Sequence, residues 1–227
     1  MIEKILSFLF PKLCYGCFTN LNSYEKYLCI NCIHNAPLTG FHLNENNLLK
    51  SNFKGLVPLE FAYALFYYKK ETGVQECIHQ LKYKKQEKIG LFFGKWFSEV
   101  LKNNENLKSV DIILPVPIHT KRKIERSYNQ VHLFVETIST ELNIVYDFKA
   151  LKRIKHTNTQ TKKNKKNRFN LLEHAFDLNT GHNLENKHIL LVDDVVTTGA
   201  TIEACWLTLK KVPNIKISLL SIAYAES

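Results

Sequence analysis

The 227-residue chain has no apolar run long enough to span a bilayer, so membrane insertion is not expected of it. The cluster Ile5, Leu6, Phe8, Leu9 and Phe10 is too short, no small-residue cleavage site follows it, and it reads as a packing segment. With no export pattern the expected compartment is the reducing cytoplasm, which argues against a disulfide framework for the six cysteines. Neither G-x-x-x-x-G-K-S/T nor G-x-G-x-x-G occurs, which excludes the P-loop and the dinucleotide fingerprint. No internal repeat is visible, and His34, His119 and His156 lack any spacing that suggests ligands or a catalytic dyad. Acidic residues are scarce. Against 31 Lys and Arg stand 21 Asp and Glu, a formal net charge of +10 that favours an acidic partner such as phosphate or nucleic acid.

What the chain does have is two C-x-x-C pairs, Cys14 with Cys17 and Cys29 with Cys32, separated by eleven residues. Each pair can put two thiolates on one metal from a tight turn, and together they complete a tetrahedral all-thiolate site suited to structural Zn²⁺. Residues 1–40 are otherwise polar and turn-rich, too small for a core of their own, and a bound zinc contributes on the order of 10 kcal/mol to such a fold. A redox C-x-x-C would normally appear once, near a βαβ pattern, and four thiolates leave no open position for catalysis. Cys77 and Cys205 sit singly on helical apolar faces and read as small buried hydrophobes.

Residues 1–40 therefore read as an N-terminal zinc-binding module, the Asn- and Lys-rich residues 41–60 as a linker, and 61–227 as the main domain. Within that domain the apolar spacing predicts strands over 61–68, 110–116, 189–192 and 215–223, and helices over 74–83, 91–101, 131–142 and 202–210. Strands alternating with helices imply an α/β domain, a mainly parallel sheet with helices on both faces. Residues 149–168 hold nine Lys or Arg, no acid and no apolar face, and read as a mobile basic loop.

The densest chemistry follows the strand at 189–192. Its apolar run ends in Asp193 and Asp194, and Val195, Val196, Thr197, Thr198, Gly199, Ala200 and Thr201 lead into a helix. Loops at the carboxyl ends of parallel strands are where such sheets bind ligands. Backbone N–H groups of 198–201 and the threonine hydroxyls can converge on a phosphate at the helix start, and Gly199 permits close approach. Two carboxylates beside that cradle would repel a bare polyanion. They need hydroxyl donors, which selects a ribose phosphate over plain phosphate. The plain alternative is a strand, turn and helix with an N-capping Thr. The ligand reading requires acids that face outward and a turn open enough for a phosphoryl group.

This segment resembles the 5-phosphoribosyl-1-pyrophosphate (PRPP) loop of type I phosphoribosyltransferases, whose paired acids hold ribose hydroxyls and whose Thr-rich stretch holds the 5′-phosphate. Nearly the whole chain resembles the ComF family of ComFC-type competence proteins. The Pro115-Val116-Pro117 strand end, the stretch Arg126-Ser127-Tyr128-Asn129-Gln130, and Leu151, Arg153, Thr157 and Gln160 carry the likeness together with the four cysteines. Ser127 departs from the family's usual Gly, and Leu171 stands where an Asn is common. The resemblance implies a phosphoribosyltransferase-like fold binding PRPP with Mg²⁺ and transferring or sensing a phosphoribosyl group with release of pyrophosphate, in natural competence and DNA uptake. It also implies a pyrophosphate loop with Lys121, Arg122 and Arg126, and a flexible loop with Arg153, Gln160 and Arg168. The alternative is a non-catalytic competence factor that handles single-stranded DNA beside a competence helicase or DNA-uptake proteins. No residue declares itself a general base, and the phosphoribosyl acceptor is not legible.

Overall fold

The structure, a computed structural model, describes residues 11–118, 129–154 and 175–226. In chain order its elements are α1 (Ile30–His34), α2 (Leu48–Ser51), β1 (Leu59–Tyr67), α3 (Gly73–Tyr83), α4 (Lys88–Leu101), β2 (Ile112–Pro115), α5 (His132–Leu142), β3 (Leu151–Arg153), β4 (Phe176–Leu178), β5 (His188–Val196), α6 (Ala200–Leu209) and β6 (Lys216–Tyr224). Four strands form one all-parallel sheet in the order β1, β6, β5, β2. Parallel neighbours need a crossover, and the helices between the strands supply it. Strands β3 and β4 form a separate antiparallel pair.

Strand β5 explains the layering. Ile189, Leu190, Leu191 and Val192 are each fully buried, so both faces of the strand are covered and the sequence shows a continuous apolar run instead of an alternation. Side chains on successive residues point to opposite faces. Asp194 meets Lys82 of α3, and Asp193, one residue earlier, points to the opposite face of the sheet.

Three segments differ from the sequence expectation. Strand β5 continues through Val196, so both acids lie inside the strand. Its pairing explains the length: Asp193 and Val195 remain in register with Ser221 and Ala223 of β6. Part of the expected basic loop, Leu151–Arg153, is strand β3, because buried Leu151 and its pairing with β4 offset the high charge. Beyond Ile154 that loop lies outside the described residues.

Residues 41–60, expected as a linker, are packed. Phe41, Leu49, Phe53 and Val57 are all buried. The amide of Asn47 donates to the carbonyls of Phe41, Asn44 and Ala62, tying the segment to β1. Asparagines that look like loop composition in the sequence here satisfy backbone carbonyls that burial removes from water.

Candidate functional site

The cysteine cluster has the geometry its spacing implies. The sulfurs of Cys14, Cys17, Cys29 and Cys32 all lie within 4.8 Å of one another, and Cys17 Sγ is 3.6 Å from Cys29 Sγ. Tetrahedral zinc with ligands at its usual Zn–S length separates sulfurs by about 3.8 Å, so the donor set fits the ion. Backbone N–H groups of Gly16 and Cys29 donate to Cys14 Sγ at 3.4 and 3.3 Å, as suits a thiolate. Burial raises the Cys17 thiol, but hydrogen bonds from Thr19 and the neighbouring sulfurs outweigh it and bring the pKa down to about 6. Burial and the adjacent thiols push Cys32 strongly upward. A metal ion at this cluster would take its ligands as thiolates.

This cluster is seated on α3. Cys32 Sγ approaches Gly73, the first residue of the helix, and Gly16 packs on the same glycine so closely that a Cβ at Gly16 would lie 2.9 Å from Cys32 Sγ and 3.1 Å from Gly73 Cα. Further along, Gln80 Nε2 donates to the Tyr15 carbonyl at 2.8 Å. The helix ends near Lys82, whose ammonium lies 3.1 Å from Asp194 Oδ1.

Asp194 is 5% exposed. Its Oδ2 accepts from Gln130 Nε2 at 2.6 Å, and its Oδ1 also accepts from the Val195 N–H at 2.6 Å. Asp193 is half-buried on the other face, and its Oδ1 accepts from the Asp194 N–H at 2.8 Å. Burial and the adjacent Asp194 charge raise its pKa to about 7, against the opposing pull of Lys82 and Arg153. Of the two conditions the ligand reading sets, the open turn is met: Thr197 and Thr198 are exposed, and Gly199, Ala200 and Thr201 are partly so. Asp194 is buried, and Asp193, on the opposite face of the strand, is only partly exposed.

Gly199 caps α6 with φ +74°, and a Cβ there would stand 2.6 Å from Phe53 Cε1. The supposed linker thus forms the floor of the Thr-rich turn. Arg153, on β3 with its guanidinium 5.3 Å from the Phe176 ring centroid, acts on Asp193 from the α6 side. The structure so gathers Asp193, Asp194 and the 195–201 turn with Arg153. Lys121, Arg122, Arg126, Gln160 and Arg168, with Ser127, Thr157 and Leu171, lie outside the described residues. Sequence reasoning did not assign Lys82 or Phe53 to the site, and took Gln130 only as part of a motif. Nothing local marks them: Lys82 is a lysine in the last turn of an amphipathic helix, followed by Lys84 and Lys85, and only packing brings it to Asp194.

Residues 132–223 match the phosphoribosyl transferase domain family. Competence protein F of Haemophilus influenzae is 35% identical over 125 residues, 55% of each chain. The DNA utilization protein YhgH of Escherichia coli is 33% identical over 128 residues, 55% of this chain and 56% of the relative. The chain thus spans about half the length of these curated relatives. Competence protein ComFC of Bacillus subtilis is 24% identical over 191 residues, 84% of this chain and 75% of that one. Among solved structures, adenine phosphoribosyltransferase from Trypanosoma brucei aligns with a TM-score of 0.41 and 12% identity, covering 72% of this chain and 83% of its own. The enzyme from Leishmania tarentolae aligns with a TM-score of 0.39 and 12% identity, covering 63% and 73%. Among the described residues no helix is long and apolar enough to cross a membrane.

Proposed function

We propose that this chain, a ComF-family protein with a type I phosphoribosyltransferase-like domain, binds PRPP at the end of β5 and serves in DNA uptake during competence. The observation that carries the reading is the open turn at 197–201, which runs from a partly exposed Asp193 into the start of α6. Backbone N–H groups at a helix start and threonine hydroxyls suit a 5′-phosphate. Asp193 meets the ribose diol first. An ionised carboxylate has about four acceptor positions, and Lys82, Gln130 and the Val195 N–H occupy three on Asp194, which leaves one on Oδ2 for a hydroxyl. Magnesium bound with PRPP would neutralise charge on its pyrophosphate.

Transfer would break the bond between C1 of the ribose and pyrophosphate as a nucleophile attacks C1, with the chain orienting the ribose and stabilising charge. The fit of the four-thiol cluster to the ion supports zinc as its structural metal. The test is a thermal melt with PRPP and Mg²⁺: ligand at about 100 times its Kd should stabilise the protein by about 2.7 kcal/mol, and Asp193→Asn should abolish the shift. No shift for the wild type would reject PRPP binding. A shift without pyrophosphate release, across a panel of nucleophiles, would favour sensing over transfer.

A second reading, a single-stranded DNA partner, draws support from the net charge of +10 and from Phe18 and Tyr24, which are 55% and 76% exposed on the cysteine module. Binding through phosphate contacts should weaken steeply with salt, with a log-log slope of order several. A flat salt response would reject it.

A further inference from the structure

Lys82 forms an ion pair unlike the others between Lys and Asp or Glu among the described residues. The lysines in Lys102–Glu99, Lys108–Glu105 and Lys152–Asp177 are 44–70% exposed and their acids 55–77%. Lys82 and Asp194 are 22% and 8% exposed, so water screens them far less. Exposed pairs contribute little, whereas removing one partner of a buried pair strands a charge.

Its location is also fixed from a distance. Helix α3 is held at its first turn by the contact of Gly73 with Cys32 and Gly16, and near its end by the Gln80 bond to the Tyr15 carbonyl, two residues before Lys82. The ammonium also sits at a helix C-terminus, where the macrodipole favours a cation. A long flexible side chain is thereby presented from a clamped element to one carboxylate oxygen.

The chemistry of the site requires such a charge. Burial, and after it the charge of Asp194, raises the pKa of Asp193, and two adjacent carboxylates would also repel a phosphate ester. In a site without its own cations, that repulsion would have to be relieved by a divalent ion. Here Lys82 pairs with Asp194 and also acts on Asp193, where Arg153 adds a smaller pull.

We propose that Lys82 is a binding residue of this pocket, the resident counter-charge of Asp194 that lets a ribose 5-phosphate group bind without a free divalent cation. The assignment rests on the ribose-phosphate reading above and adds to it a residue and a metal dependence.

Ribose 5-phosphate, which carries the diol and the 5′-phosphate but no pyrophosphate, is the probe. Calorimetric titration into the full zinc-loaded chain, with and without Mg²⁺, should give wild-type affinities that agree within about threefold. Lys82→Met should bind about tenfold or more weakly without Mg²⁺ and regain part of that loss with it, while Lys82→Arg stays near wild type. Lys82→Gln, which keeps a donor but not the charge, should behave like Lys82→Met. Equal binding by wild type and Lys82→Met, or a loss that Mg²⁺ leaves untouched, would overturn the assignment and reduce Lys82 to a structural partner. Should the neutral variants fail to fold, the wild type alone decides: strict dependence on Mg²⁺ for ribose 5-phosphate overturns the assignment, and binding without it upholds it. A wild type that takes neither ribose 5-phosphate nor PRPP removes the ribose-phosphate reading itself.

Discussion

Asp193 costs the fold stability in a way that pH can expose. Its folded pKa, about 7, stands above the ordinary carboxyl value, so the folded chain holds a proton that the unfolded chain has lost. Its contribution to stability is therefore full below the unfolded pKa of about 3.9 and is lost as pH rises through the folded value near 7. Asp193→Asn, which mimics the neutral acid at every pH, should stabilise the ligand-free protein on the order of 1–3 kcal/mol at pH 8 and by less at pH 5. Melts at the two pH values check this, and an effect that is the same at both would contradict the burial of that charge. Gly199 is constrained twice, by its left-handed φ of +74° and by Phe53 beneath it. Gly199→Ala should cost about 1–3 kcal/mol in urea unfolding, since backbone strain and overpacking act together.

At the scale of elements, α3 joins the two sites. Its first residue, Gly73, would ordinarily gain helix stability as Ala, yet a Cβ there would lie 3.1 Å from Cys32 Sγ. A sulfur held by the proposed zinc would be unable to retreat. Gly73→Ala should therefore lower the melting temperature of the zinc-loaded protein, and the penalty should shrink once a chelator frees Cys32. A variant that melts higher in the loaded form would show the contact to be loose. Strand β3 and segment 41–58 illustrate the other lesson of this scale. Neither has an amphipathic pattern of its own, and each is ordered by what it packs against: Leu151 by pairing with β4, and Phe53 by the turn at Gly199.

As a whole molecule the chain has one continuous apolar core. It runs from Cys14, Leu28 and Cys29 through Phe41, Leu49 and Phe53 to the sheet and Tyr224. Modules that share a core unfold together. Stripping zinc with a chelator should shift a single calorimetric transition to lower temperature, with release of one zinc per four thiols. Two separated transitions would instead mark the cysteine module as an independent folding unit. The sequence by itself determined the elements whose information is local: the buried runs of β1 and β5, the helices of α3 to α6, the paired cysteine spacing, and the acid-and-threonine turn. Such features are written in periodicity and turn chemistry within a few neighbouring residues. Only the tertiary structure decided that the two acids face opposite ways, that Lys82 closes on Asp194 across 112 positions of sequence, and that Phe53 underlies Gly199. Those are meetings of side chains on different elements, and no local pattern encodes them, because the energy that selects them is released only when the elements pack.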